Sequence, residues 1–183
     1  MSDASTPADD ELLAKARQGD AWAFGVWLER QYDFIYRVAY RLMGQQMDAE
    51  DLTQDVCLKL ADRIGSYKGQ GSVRGWLARV VINAGYDRMR SKKRRPTANI
   101  EDVAEPAAVE QADSKAYLNE VLAAMAKLPE KSQHALWLAA EGLSHAEMAE
   151  VLECSAGTVG WRISTARDEL QQLLTGVKHV ATR

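Results

Sequence analysis

The chain has 183 residues, of which 46% are hydrophobic and 27% are charged, with 12 glycines and 4 prolines. This composition supplies enough apolar material for a core and excludes a disordered or fibrous chain. The longest uninterrupted apolar stretch is 135–140, far below the roughly 18 residues that span a bilayer, so we expect no membrane insertion. The acidic N-terminus lacks the pattern of a secretory signal, and two cysteines cannot form a disulfide framework. Both features favour a cytoplasmic protein.

The net charge of −3 conceals blocks of opposite sign. Residues 48–55 contain four carboxylates and no cation, residues 86–95 contain six cations and one acid, and residues 99–120 contain six acids and one lysine. Such blocks indicate separate surfaces for separate partners, one of them polyanionic. Solvated helix faces joined by a basic linker would give the same pattern, so charge alone leaves both interpretations open.

Helical periodicity runs through most of the chain and predicts an all-α fold. We expect two small helical domains, at 10–95 and 114–175, joined by a flexible linker at 96–113 that is rich in Ala, Glu and Pro. A disordered N-terminus is expected at 1–9 and a C-terminal tail at 176–183.

The first domain is predicted to contain four helices. The first is expected at 9–18, and the second from the N-cap Asp20 to the C-cap Gly44. The third is expected to start from an N-cap at Asp48, with Asp51 completing a capping box. The fourth is expected to run from an N-cap at Ser72 to Pro96. A glycine-rich loop at 65–71 separates the last two. The core stripe of the third helix is expected to be Leu52, Val56, Leu60 and Ile64.

The end of the second domain has the pattern of a helix-turn-helix. Ser144 and Glu147 have the spacing of a capping box that opens a short helix. A tight turn at 153–154 follows, and Ser155 is expected to cap a longer final helix. A short helix, a turn of three or four residues and a longer helix define the motif.

Enzymatic interpretations find little support. The chain has no phosphate-binding glycine loop, and its three histidines share no metal-ligand spacing with each other or with the cysteines. Cys154 near His145 is better explained as a small residue in a turn. Asp51 and Asp55 share a helix face, where a solvated or partner-binding role is the better interpretation. We therefore expect no catalytic residues, no metal and no cofactor.

Residues 65–83 mix cations and aromatics in a way that suits single-stranded nucleic acid. Cations follow a phosphate backbone, aromatic faces stack on unpaired bases, and an amide can hydrogen-bond a base edge. The candidates are Tyr67, Lys68, Arg74, Trp76, Arg79 and Asn83. For Trp76, a place in the core is an equally good interpretation.

With these motifs in order, residues 20–95 and 114–174 together resemble an extracytoplasmic-function (ECF) sigma factor of bacterial RNA polymerase. The resemblance is carried by DAEDLTQDVCLKL (48–60), YKGQGSVRGWLARVVIN (67–83), a basic helix end, and the segment 128–170 after a linker. It implies a transcription initiation factor that binds core RNA polymerase, through the β′ clamp coiled coil and the β subunit, and directs it to promoter DNA. It also implies an anti-sigma factor as a partner.

The resemblance assigns three sets of residues. The polymerase-binding set is Asp48, Glu50, Asp51, Gln54 and Asp55. The −10 set is Tyr67, Lys68, Arg74, Trp76, Arg79, Asn83, Arg88 and Arg90, in which Asn83 falls where the family reads a flipped base and the basic block holds duplex phosphates. The −35 set is Ser155, Thr158, Trp161, Arg162 and Thr165.

The second domain departs from the family pattern. Basic residues are usual around Gly160 and Thr165, and a small residue is usual at Trp161. Residues 121–174 contain seven acids and four basic residues, so phosphate attraction should be weak. We expect weak, non-standard −35 recognition: either Trp161 contacts the thymine methyl groups of an unusual −35 sequence, or this domain contributes little affinity.

The sequence leaves two alternatives to a sigma factor open. A helix-turn-helix regulator acting without polymerase would have no use for the acidic block at 48–55. An interaction module that binds polymerase or an anti-sigma factor without supporting transcription would explain the weakly basic last helix. Cys57 was also considered as a redox switch, although a buried cysteine usually serves as a small hydrophobic residue.

Overall fold

The computed structural model describes residues 7–69, 71–94 and 120–180, with the side chains of 92–94 and 176–180 outside that description. Within these ranges every regular element is a helix, which confirms the all-α prediction. The chain divides into two compact units, 1–100 and 101–183. The expected linker at 96–113 lies outside the described residues. No described helix is long and apolar enough to cross a membrane.

The described residues of the first unit form four α-helices: α1 (Asp9–Arg17), α2 (Ala21–Met43), α3 (Gln46–Arg63) and α4 (Val73–Arg94). A 3-10 turn, Ile64–Ser66, follows α3. The caps of α2 are as predicted: the Asp20 side chain accepts a hydrogen bond from the Ala23 amide, and Gly44 ends the helix in the left-handed conformation. Ser72 also caps α4, since its Oγ accepts from the Gly75 amide at 3.0 Å.

The predicted start of α3 was wrong. The helix begins at Gln46, and its N-cap is Gln45, whose backbone is extended and whose side chain makes no capping hydrogen bond. Asp48 therefore lies inside the first turn rather than at the cap. The left-handed Gly44 turns the chain so sharply that α3 starts at once, and Asp48 stabilises it through the helix dipole instead.

The core of the first unit is built around α2, which packs against α1, α3 and α4. Trp27 of α2 is completely buried. The predicted stripe is also buried, with Leu52, Val56 and Leu60 on α3 and Ile64 in the 3-10 turn that follows it. Gly85 lets α4 approach closely, because a Cβ there would lie 2.2 Å from Cδ2 of Leu42. This packing turns the acidic side of α3 and one side of α4 towards solvent.

The second unit contains α5 (described residues 120–125), α6 (Glu130–Ala140), α7 (His145–Val151) and α8 (Ala156–Val180). Both hydrogen bonds of the Ser144–Glu147 capping box are present, and Ser155 Oγ accepts from the Thr158 amide at 3.1 Å. Glu153 in the turn between α7 and α8 has a φ of 50°. The helix-turn-helix is therefore formed as predicted.

Helix α8 packs against both α6 and α7. Val159 and Ile163 bury one side of it, while Ala166 joins Met125 and Leu128 in a cluster at the base of α5. The opposite side of the first turns of α8 is left to solvent.

Candidate functional site

The outer face of α3 presents the polymerase-binding set predicted from the sequence. Glu50, Asp51, Gln54 and Asp55 are exposed, whereas Asp48 is half-buried. Glu50 accepts a hydrogen bond from Gln46 Nε2 at 2.8 Å. The carboxylates of Asp51 and Asp55 lie one helical turn apart, so their charges reinforce one another over a small area.

Two apolar side chains lie on the same face of α3, and the sequence reasoning missed both. Met47 is 79% exposed and Leu58 is 76% exposed. The spacing of 47, 51, 54, 55 and 58 places all five positions on one side of the helix. A signal was present, because both residues fall outside the buried stripe of α3. The face is therefore acidic in its centre and apolar at both ends, which suits a protein partner.

Arg88 of α4 connects this face with the basic helix. Its Nη2 lies 2.5 Å from Asp51 Oδ2 and its Nη1 lies 3.1 Å from Asp55 Oδ2. A residue predicted to hold DNA phosphate is thus engaged by two residues predicted to bind polymerase. Arg90 follows Arg88 by two residues on α4 and pairs with Asp87 at 2.5 Å instead.

The loop after α3 is held by Tyr67. Its side chain is buried, and its hydroxyl donates to the Gly71 carbonyl at 3.0 Å. The ring centroid of Trp76 lies 5.6 Å from that of Tyr67, and Trp76 is half-buried. Trp76 is therefore packed against Tyr67 and also partly accessible, and this leaves both interpretations of Trp76 open. Lys68 is exposed beside it.

Helix α4 arranges the remaining −10 residues in two directions. Arg79 and Asn83 are exposed and follow Trp76 at spacings of three and four residues, so they share a face. Arg74 points towards α2, where its guanidinium carbon lies 5.4 Å from the centre of the Phe34 ring. The basic side chains 92–95 lie outside the described residues.

A cleft of about 360 Å³ lies beside Arg74, lined mainly by Asp9, Asp10, Trp27, Gln31 and Tyr67. Asp9 is held there by Arg30 at 2.7 Å and by Gln31 at 3.0 Å. The sequence pattern held no sign of this cleft, because it joins α1, α2 and the loop through residues distant along the chain.

In the second unit, the predicted −35 residues lie at the start of α8. Ser155 and Thr158 are joined by a hydroxyl–hydroxyl hydrogen bond of 2.8 Å. Trp161 is 66% exposed, and Arg162 Nη1 donates to Cys154 Sγ at 3.4 Å. Thr165 is half-buried. A Cβ at Gly160 would come within 3.6 Å of the His145 ring, so a long basic side chain there would have to pass that ring.

The described residues contain no cluster of three or more His, Cys, Asp or Glu side chains that could hold a metal ion. Cys57 is half-buried, and burial raises the pKa of its thiol above the ordinary value of 9.0. A raised pKa lowers the thiolate fraction at neutral pH, which does not favour a redox switch.

Comparisons with known proteins agree with this architecture. Residues 27–95 match the model for sigma-70 region 2, and residues 118–170 match that for sigma-70 region 4. The chain is 35% identical over 171 residues to the ECF RNA polymerase sigma factor SigM of Mycobacterium tuberculosis, covering 91% of this chain and 85% of that protein.

Two solved structures share the fold. Sigma factor RpoE, in complex with the anti-sigma factor NepR from Bartonella quintana, has a TM-score of 0.70 and 29% identity, covering 83% of this chain and 96% of that one. CnrH, in complex with the cytosolic domain of CnrY, has a TM-score of 0.68 and 26% identity, covering 93% and 99%.

A helical unit with an acidic face on α3, combined with a helix-turn-helix unit, is thus the architecture of a sigma-70 type protein. The chain belongs to the ECF sigma factor family, whose members are transcription initiation factors that direct RNA polymerase to promoter DNA. These matches do not favour the alternative of a regulator that acts without polymerase.

Proposed function

We propose that the outer face of α3 is the surface through which this sigma factor docks on the clamp coiled coil of the polymerase β′ subunit. The observation that carries this proposal is the single face on which Asp51, Gln54 and Asp55 lie between the exposed Met47 and Leu58. Carboxylates steer and orient a basic partner, while apolar side chains that become buried supply affinity. Glu50 and Asp48 extend the acidic surface towards the start of the helix.

The exposed side of α4 is proposed to contact the unpaired −10 strand. Trp76 supplies an aromatic face, Arg79 supplies a cation and Asn83 supplies an amide along one line of the helix. Capture of unpaired bases on such a surface stabilises melted promoter DNA without nucleotide hydrolysis. Lys68, Arg74 and Arg90 add positive charge around this line, and Tyr67 acts by holding the loop. The protein needs no catalytic group for this role.

The start of α8 is proposed to enter the major groove at the −35 element. Trp161 projects from it as the largest exposed side chain, whereas Arg162 is partly engaged with Cys154. Contact between an indole ring and thymine methyl groups would replace the guanine contacts that arginines usually supply. Because residues 121–174 carry a net negative charge, we expect this domain to add little phosphate-driven affinity.

An anti-sigma factor is proposed as a further partner, and the protein is proposed to act in the cytoplasm. The support is that the two solved structures compared above are complexes: RpoE with the anti-sigma factor NepR, and CnrH with the cytosolic domain of CnrY.

The docking proposal is tested by measuring the affinity of the full-length protein for purified core polymerase. Leu58→Asn should weaken binding by about tenfold, since it removes an exposed apolar group that docking would bury. Trp22→Asn is the matched control, because Trp22 is also an exposed apolar side chain but lies on α2 rather than on α3. Equal affinities for the two variants would contradict the proposed surface.

A further inference from the structure

We propose that Arg88 is a positioning residue for the polymerase-docking carboxylates, and that it is not a ligand of DNA phosphate. This inference rests on the proposed docking function of α3. It starts from the two ion pairs that one guanidinium makes with Asp51 and Asp55, each through a different terminal nitrogen. The Arg88 side chain is 24% exposed, whereas both carboxylates remain at least half exposed.

The place of Arg88 on α4 explains this contact. Positions 81, 85 and 88 follow helical spacing, and both Val81 and Gly85 are buried. Arg88 therefore lies at the end of the inward-facing stripe of α4, at the boundary between α4 and α3. Arg79 and Asn83, in contrast, lie on the exposed side of the helix. A phosphate that reached Arg88 would have to displace two carboxylates from it.

The contact organises a surface that would otherwise be mobile. Two carboxylates one turn apart on a helix repel each other and sample several rotamers. A planar guanidinium that binds one oxygen of each counters this repulsion and restricts both side chains. Asp51 and Asp55 both use Oδ2 for Arg88. Side chains that are already ordered lose less conformational entropy when a partner binds.

If only charge mattered, removing Arg88 would strengthen binding to polymerase rather than weaken it. Without Arg88, the α3 face would be more acidic and would attract a basic partner more strongly at long range. Such attraction between exposed groups is weak in water and is screened by salt. The order imposed on two side chains does not depend on screening in this way, so its effect should remain at higher ionic strength.

The experiment compares affinities of full-length variants for purified core polymerase at about 0.1 M and about 0.4 M salt. Arg88→Gln should bind about 3- to 10-fold more weakly at both salt concentrations. Arg88→Lys should fall between Arg88→Gln and the wild type, since an ammonium group holds two carboxylates less rigidly than a guanidinium. In the Asp51→Asn/Asp55→Asn background, Arg88→Gln should have no further effect.

Two controls separate positioning from the loss of any one cation and from general stability. Arg17→Gln removes an exposed cation from α1 and should leave core affinity unchanged. Urea unfolding of each variant shows that it is folded under the assay conditions. If Arg88→Gln is too unstable, the comparison of Arg88→Lys with the wild type carries the test alone.

The possible results are distinct. If Asp51→Asn/Asp55→Asn weakens core binding but Arg88→Gln and Arg88→Lys do not, the positioning role is refuted and the docking surface stands. Tighter binding by Arg88→Gln also refutes it, because Arg88 would then mask the acids. If the double carboxylate variant binds core polymerase like the wild type, the docking surface itself fails and the positioning role fails with it. A smaller salt dependence of promoter binding by Arg88→Gln holoenzyme, with core affinity unchanged, would make Arg88 a phosphate contact.

Discussion

The rings of Tyr67 and Trp76 lie 5.6 Å apart at an angle of 47° and join the loop after α3 to the first turn of α4. The Tyr67 hydroxyl then closes the loop by donating to the Gly71 carbonyl. A residue expected to touch DNA is therefore buried, and it fixes the shape of the segment from which Trp76 is presented. Aromatic side chains near a nucleic-acid surface can act through such packing as well as through direct stacking.

The first prediction concerns that hydroxyl. Tyr67→Phe keeps the ring contact with Trp76 but removes the hydrogen bond to Gly71, so the free energy of unfolding should fall by about 1 kcal/mol. Urea unfolding followed by circular dichroism measures this change. Tyr32→Phe is the control, because Tyr32 is exposed and its variant should match the wild type. A Tyr67→Phe protein as stable as the wild type would show that the bond does not hold the loop.

The second prediction concerns the exposed tryptophan of α8. Trp161→Ala should change the free energy of unfolding by no more than about 0.5 kcal/mol, since the side chain is mostly in solvent. It should weaken binding of holoenzyme to a promoter with its own −35 element by about 3- to 10-fold. Trp22→Ala is the matched control, because Trp22 is 63% exposed in the first unit.

Uracil in place of thymine in the −35 element tests the same contact from the DNA side, because it removes only the methyl group. Wild-type holoenzyme should lose affinity for the uracil promoter, and the Trp161→Ala holoenzyme should not distinguish the two. Equal losses in both proteins would assign the methyl contact to another residue.

The third prediction uses two glycines in helices. Gly85→Ala should destabilise the protein by about 1–3 kcal/mol, because its Cβ would overlap the Leu42 side chain. Gly25→Ala should stabilise it by up to about 1 kcal/mol, since a Cβ at Gly25 meets no atom within 4 Å and alanine favours helix. Chemical denaturation of the two variants measures both effects. If both substitutions change the free energy of unfolding in the same direction, the packing described for α4 is contradicted.

The fourth prediction is a pH dependence of stability in the second unit. Burial lowers the pKa of His134 below 6.5, and the nearby Glu130 acts in the opposite direction. The unfolded chain therefore binds more protons than the folded one below about pH 6.5, and the free energy of unfolding falls as the pH decreases through that range. His134→Gln should reduce this slope in urea unfolding measured between about pH 7.5 and pH 5.5. A His134→Gln protein with an unchanged slope would exclude His134 as its source.

Local patterns predicted most of the fold. Asp20, Ser72, Ser144 and Ser155 all cap helices as their side-chain chemistry indicates, because capping depends on residues close in sequence. The cap proposed at Asp48 failed because the position of Gly44 set the start of α3. Which residue becomes the N-cap depends on where the preceding turn ends, and a favourable motif a few residues later does not determine that.

The candidate site was predicted only in outline. Charge blocks and the family resemblance pointed to the acidic face of α3 and the exposed side of α4, yet they did not reveal that Arg88 pairs with Asp51 and Asp55 or that Leu58 is exposed. The engagement of Arg88 by Asp51 follows from the way α4 packs against α3, and residues 37 apart in sequence show no pattern that reveals it. Leu58 could have been found from the sequence, because it falls outside the predicted buried stripe of α3.

The central claim is that the acidic face of α3 makes this protein a sigma factor by binding core polymerase. Run-off transcription with purified core polymerase over a library of promoter fragments tests it most directly, with wild type compared to Asp51→Arg/Asp55→Arg. We predict promoter-specific transcripts with the wild type and none with the charge-reversed variant, while both proteins remain folded. A variant that supports the same transcripts as the wild type would contradict the claim, and a wild type that binds promoter duplex alone without producing transcripts would overturn it.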